Sequence, residues 1–108
     1  MSDTKENRSG MYNIGAARWP GLSKLLEEAG EVLQVGGKIM GNHGEVRHWD
    51  GSHLPTRMEE ELGDLLAAIG FFVVHNPLNP TLINMRYKAK LAKFEEWHRA
   101  GDPPPEQG

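Results

Sequence analysis

The chain is expected to be all-α, an antiparallel helical bundle completed by oligomerisation. Three patterns lead there. Leu22, Leu25, Leu26, Ala29, Val32 and Leu33 recur at the three- and four-residue spacing of one helix face. The run LLAAIGFFVV from Leu65 to Val74 is apolar on nearly every side, as in a helix covered from several directions. Ile83, Tyr87, Lys90, Phe94 and Trp97 follow spacings of four, three, four and three, a heptad seam.

The elements can be taken in order. Residues 1–18 open with the polar, aperiodic MSDTKENRSG and are expected to be a flexible N-terminal segment. The all-α domain is expected over residues 19–98. Its first helix opens at Trp19-Pro20, because proline suits a first helical turn. Gly36-Gly37 weakens that helix and Gly41 ends it. GNHGEVRHWDGSH, from Gly41 to His53, has neither helical nor strand period and reads as a long loop, or a loop holding a short turn. The second helix begins near Pro55-Thr56, with Glu59, Glu60 and Glu61 in its opening turns where carboxylates favour the positive end of the dipole. Asn76-Pro77 and Asn79-Pro80 punctuate the chain, and a third helix runs from about Thr81 to His98. Residues 99–108 contain three consecutive prolines and are expected to be a disordered tail.

Composition narrows the function classes. At 108 residues there is room for one domain, and so small a domain buries little surface unless chains associate. Formal net charge is −3 and no run of Lys or Arg forms a basic stripe, which argues against polymeric nucleic acid as a partner. The chain has no cysteine, no apolar stretch near the membrane-spanning length of about 18 residues and no charged-then-apolar leader. A cytoplasmic protein without membrane partners is the expectation.

Chemistry shows where charge occupies an apolar face. On the second helix Met58, Leu62, Leu65, Ile69, Phe72 and Val73 share an arc. Glu61 falls inside it and Asp64 at its edge. A buried carboxylate needs a counter-charge or a cation. On the first helix Glu28 borders the apolar arc and Glu31 lies one step beyond. Lys90 holds a core position of the third helix's seam. Four carboxylates on two antiparallel helices, with one inward Lys, can hold one or two hard divalent cations; oxygen-only ligation favours Mg²⁺ or Mn²⁺ over Zn²⁺.

Plainer readings exist for each feature. A lone E-x-x-E or E-x-x-D is usually solvated surface, and the joint occurrence is what carries meaning. Lys90 can snorkel to water along its stem. His43, His48 and His53 sit irregularly in the loop, where exposed or substrate-edge roles outweigh metal binding. Glu95 to His98 holds a single E-x-x-H near a helix end and reads as surface. Of the tryptophans, Trp49 in the polar loop has the best claim to contact a ligand.

Glu28-Ala29-Gly30-Glu31 followed by Glu61-Leu62-Gly63-Asp64 resembles the paired E-x-x-E and E-x-x-D motifs of the all-α nucleotide pyrophosphohydrolases, the superfamily of MazG and dimeric dUTPases. LLEEAGEV and EELGDLL are close to strings of the MazG-like branch, and the resemblance spans roughly Trp19 to Trp97. It implies Mg²⁺ roles for Glu28, Glu31, Glu61 and Asp64. It also implies a phosphate contact for Lys90, whose Lys90-Leu91 matches the end of the family's N-x-x-K-L string although Tyr87 stands where Asn would. The spacer from Val32 to Glu60 is longer than usual, the excess lying in the His- and Gly-containing loop. The family's helix ahead of E-x-x-E has little room in Met11 to Arg18, so partner chains are expected to complete the bundle.

The implied activity is Mg²⁺-dependent hydrolysis of a nucleoside triphosphate to the monophosphate and pyrophosphate. Glu31 is the favoured base and Lys90 offsets phosphate charge, while Trp49 is expected to touch substrate. Glu27 and Glu60 are at best supporting groups. The implied assembly is a homodimer or homotetramer. Two alternatives share the sequence features: a non-catalytic helical oligomerisation or adaptor module, and a nucleotide-binding sensor.

Overall fold

A computed structural model describes residues 11–101. The expectations for residues 1–10 and 102–108 fall outside them. The described residues form three α-helices and no strand: α1 (Leu22–Gly41), α2 (Leu54–His75) and α3 (Pro80–Ala100). The protein is all-α, and among the described residues no helix is long and apolar enough to cross a membrane. The chain divides into two compact units, the first ending at Pro77 and the second beginning at Leu78.

In the first unit, the start of α1 differs from the proline-led entry. Trp19 adopts φ 49° and Gly21 φ 88°, so Pro20 sits inside a turn and the helix begins at Leu22. The preceding segment is tied to this turn. The Gly21 N–H donates to the Asn13 carbonyl at 3.0 Å and the Ser23 N–H to that of Tyr12 at 2.9 Å. Gly36 and Gly37 remain helical, and α1 closes as the Asn42 N–H donates to the Lys38 carbonyl at 2.9 Å. Lys38 in the last turn suits the negative end of the dipole.

The loop from Asn42 to His53 is ordered by its own side chains. Asn42 Nδ2 donates to the Arg47 carbonyl at 2.8 Å, and Arg47 Nη1 to the Gly51 carbonyl at 2.8 Å. Arg47 and His53 form an isolated antiparallel bridge. Asp50 Oδ1 accepts from the Ser52 N–H at 2.9 Å and from its hydroxyl at 2.6 Å, which holds the Asp50 carboxyl well below the usual carboxylate range. His53 then caps α2, its Nδ1 accepting from the Thr56 N–H at 3.4 Å, with Pro55 in the first turn.

α1 and α2 pack as an antiparallel hairpin. Its open end is fastened by three contacts. Asn76, buried, donates from Nδ2 to the carbonyls of Pro20 at 3.0 Å and Phe72 at 2.8 Å. Trp19 stacks on Phe72 with centroids 5.8 Å apart. Gly21 lies so close to Phe71 that a Cβ there would stand 2.7 Å from Cδ1. Val35, Leu54 and Ala68 are the buried hydrophobic residues among those described.

The second unit's described part is α3. Asn79 Oδ1 accepts from the Leu82 N–H at 3.1 Å, Pro80 starts the helix, and Gly101 at φ 79° ends it. No residue of α3 is buried.

Candidate metal centre

Glu28 lies on α1, and Glu61 and Asp64 lie one turn apart on α2. The antiparallel packing brings them together. One carboxylate oxygen from each lies within 4.8 Å of the other two. Glu28 and Glu61 are half-buried and Asp64 is exposed, so the cluster has a protected side and an open mouth.

The electrostatics reflect this crowding. Burial pushes the Glu28 carboxyl above its ordinary value, and the neighbouring Asp64 carboxylate raises it further. Glu61, with its side chain only 12% exposed, has the counter-charge its position demands: Arg57 Nη2 lies 3.3 Å from Glu61 Oε2. The partner comes from one turn earlier on the same helix. Arg57 also reaches Glu60, Nε to Oε1 at 3.9 Å, while Glu27 pairs with Lys24 on the exposed side of α1.

The cluster compares unevenly with the expected set. Glu28, Glu61 and Asp64 meet. Glu31, half-buried one turn further along α1, falls outside the group of mutually close oxygens. Trp49 is 87% exposed at the tip of the Asn42–His53 loop, beside the His48 ring at 5.3 Å. Lys90 stands on α3 in the second unit, with its Nζ 6.0 Å from the Phe94 ring centroid. It shares an apolar groove of that helix with Ile83, Tyr87 and Phe94, in keeping with the seam pattern.

Compared with protein-family models, curated proteins and solved structures, the chain has no match.

Three carboxylates and no nitrogen or sulfur ligand make a donor set suited to a hard cation, whose oxygen ligands stand at about 2.0–2.6 Å. The positive charge of such a cation would relieve the repulsion that raises Glu28. Sequence reasoning missed two residues beside the cluster. Arg57 precedes Glu61 by four residues and Lys24 precedes Glu27 by three, the helical spacings at which opposite charges meet. Both signals were present in the sequence.

Beside the cluster lies a cleft of about 510 Å³ within the hairpin. Glu28 and Asp64 line one end, and Ile14, Gly21 and Phe71 the other, with Lys24, Ala67 and Ala68 between.

Proposed function

We propose that this protein is a Mg²⁺-dependent nucleotide pyrophosphohydrolase of the MazG-like type, converting a nucleoside triphosphate to the monophosphate and pyrophosphate. The observation that supports it is the convergence of Glu28, Glu61 and Asp64, from an E-x-x-E on α1 and an E-x-x-D on α2, into one oxygen-only cluster. Those three residues would hold Mg²⁺, which supplies phosphate polarisation and a bound water of lowered pKa. Glu31, outside the cluster but near it along α1, suits the role of base, because a carboxylate not engaged by a cation stays available to take a proton. Arg57 positions Glu61 and offsets its charge when no cation is bound. The phosphate role of Lys90 and the substrate contact of Trp49 rest on the sequence reading alone.

We read the working form as a homodimer or homotetramer. Leu26, Leu33 and Met40 on α1 are seven residues apart and 64%, 75% and 80% exposed, an uncovered heptad stripe. That stripe also favours a second reading, a non-catalytic oligomerisation or adaptor module.

The test is a pyrophosphate-release screen over ordinary, deoxy and modified nucleoside triphosphates with Mg²⁺, using wild type and Asp64→Asn. Asp64 is exposed and makes no ion pair among the described residues, so its neutralisation leaves the Arg57–Glu61 pair in place. Mg²⁺-dependent release by wild type that is lost in D64N supports hydrolysis. Release that is absent throughout, from a protein that still self-associates, favours the adaptor.

A further inference from the structure

The cleft beside the acidic cluster has two chemically different ends, and their order along the hairpin is informative. At one end stand Glu28 and Asp64, with Lys24 between them and the other end along α1. At the other, the Phe71 ring forms an apolar wall that Gly21 and Ile14 border. A ligand filling it needs an anionic, cation-binding part joined to a flat apolar part. A volume of about 510 Å³ is within the ~300–1,000 Å³ typical of small-molecule pockets.

The aromatic wall is held rigid. Phe71 stacks on His75 with centroids 4.1 Å apart and planes 25° from parallel. The Cδ1–Cε1 edge of the ring lies against Gly21, where an added Cβ would press to 2.7 Å of it. Asn76 bonds the end of α2 to Pro20 at 3.0 Å, so the two helix ends that frame this wall are fastened together. A ring fixed in this way stacks a planar ligand with little further loss of freedom.

We propose that this cleft is the nucleoside pocket of the hydrolytic site, with Phe71 as the platform for the base and the phosphates running past Lys24 towards the carboxylates. The proposal rests on the nucleotide reading above. It sets Phe71 against Trp49 as the base contact. Asp64 lies seven residues before Phe71 and Glu61 eight residues after His53, so the loop carrying Trp49 and the Phe71 wall flank the cluster from opposite ends of α2.

Nucleoside monophosphates and ribose 5-phosphate, each with Mg²⁺, are the probes, titrated by calorimetry into wild type, Ala67→Trp, Phe71→Leu and Trp49→Ala. Ala67 is an exposed helical position lining the middle of the cleft, so a Trp there blocks it without removing buried contacts. Base stacking on an aromatic side chain corresponds to roughly a 5- to 150-fold gain in affinity. The expected result is that at least one nucleoside monophosphate binds wild type about tenfold or more tightly than ribose 5-phosphate. That preference should disappear in A67W, shrink in F71L and survive in W49A, while Mn²⁺ binding to the cluster is the same in all four proteins. No preference for any base over ribose 5-phosphate, or one lost in W49A and kept in A67W, overturns the proposal. Failure of the hydrolytic reading would look different: nucleoside binding that follows the pattern above, with no pyrophosphate released from any triphosphate.

Discussion

Replacing Gly21 by Ala tests how the open end of the hairpin is closed. Two costs are expected. The backbone at φ 88° lies where an L side chain costs about 1–2 kcal/mol. The new Cβ would also stand 2.7 Å and 3.0 Å from Phe71 Cδ1 and Cε1, forcing the ring aside at an overpacking cost of roughly 1–3 kcal/mol. Together these remove about 2–5 kcal/mol, a large share of a small domain's ~5–15 kcal/mol. Gly15→Ala is the control, because Gly15 has φ 84° but nothing within 4 Å of its would-be Cβ; it should cost only the backbone part. Urea unfolding at one fixed protein concentration measures both, since association would otherwise shift the midpoints. Combining G21A with Phe71→Leu should recover much of the clash and leave the φ cost, appearing as a coupling of about 1 kcal/mol or more in the double-mutant cycle. G21A no more damaging than G15A, with no coupling to Phe71, would refute this packing of α1 against α2.

Other outcomes follow from the same contacts. Asn76→Ala should destabilise by about 1–3 kcal/mol in urea unfolding, because it leaves the Pro20 carbonyl without its side-chain donor. In EDTA, the raised Glu28 carboxyl means the folded chain binds its proton more tightly than the unfolded chain does. Its contribution is therefore fully present below the ordinary value of 4.5 and is lost as pH rises through the raised one. Thermal midpoints of wild type minus those of Glu28→Gln should fall across that window, and saturating Mg²⁺ should flatten the fall; an unchanged difference would mean that Glu28 is not crowded. Self-association should make the wild-type thermal midpoint rise with protein concentration, and Leu33→Glu should weaken that dependence; light scattering that finds a stable monomer of 12.0 kDa would contradict it.

Much of the helical framework could be read from the sequence, because three- and four-residue apolar spacing over twenty-odd residues has one compact solution. The helix starts were partly legible too: Pro55 and Asn79-Pro80 stand where α2 and α3 begin. The entry to α1 was not. Pro20 suggested a first turn, but Trp19 and Gly21 take positive φ and make it a separate turn. At the site, the motif spacing singled out Glu28, Glu61 and Asp64 as carboxylates on facing helices. It gave no account of why Glu31 stands apart, since that depends on the axial register of α1 against α2. The seam pattern offers Lys90 of α3 as the counter-charge of Glu61, whereas Arg57, four residues before it on α2, is the partner. The Phe71 cleft was invisible for a plainer reason: Gly21 and Phe71 are fifty residues apart, and one sequence carries no signal of their contact.

Whether Glu28, Glu61 and Asp64 bind a divalent cation together is decided most directly by Mn²⁺ titration followed by electron paramagnetic resonance, with Mg²⁺ as competitor. Wild type should sequester Mn²⁺ and release it to Mg²⁺. D64N and E28Q should each bind at least roughly tenfold more weakly. Glu59→Gln, which changes an exposed carboxylate of α2 outside the cluster, should bind as wild type does. Equal Mn²⁺ affinity in wild type, D64N and E28Q would show that the three carboxylates are a solvated acidic face and would remove the basis for hydrolysis at this site.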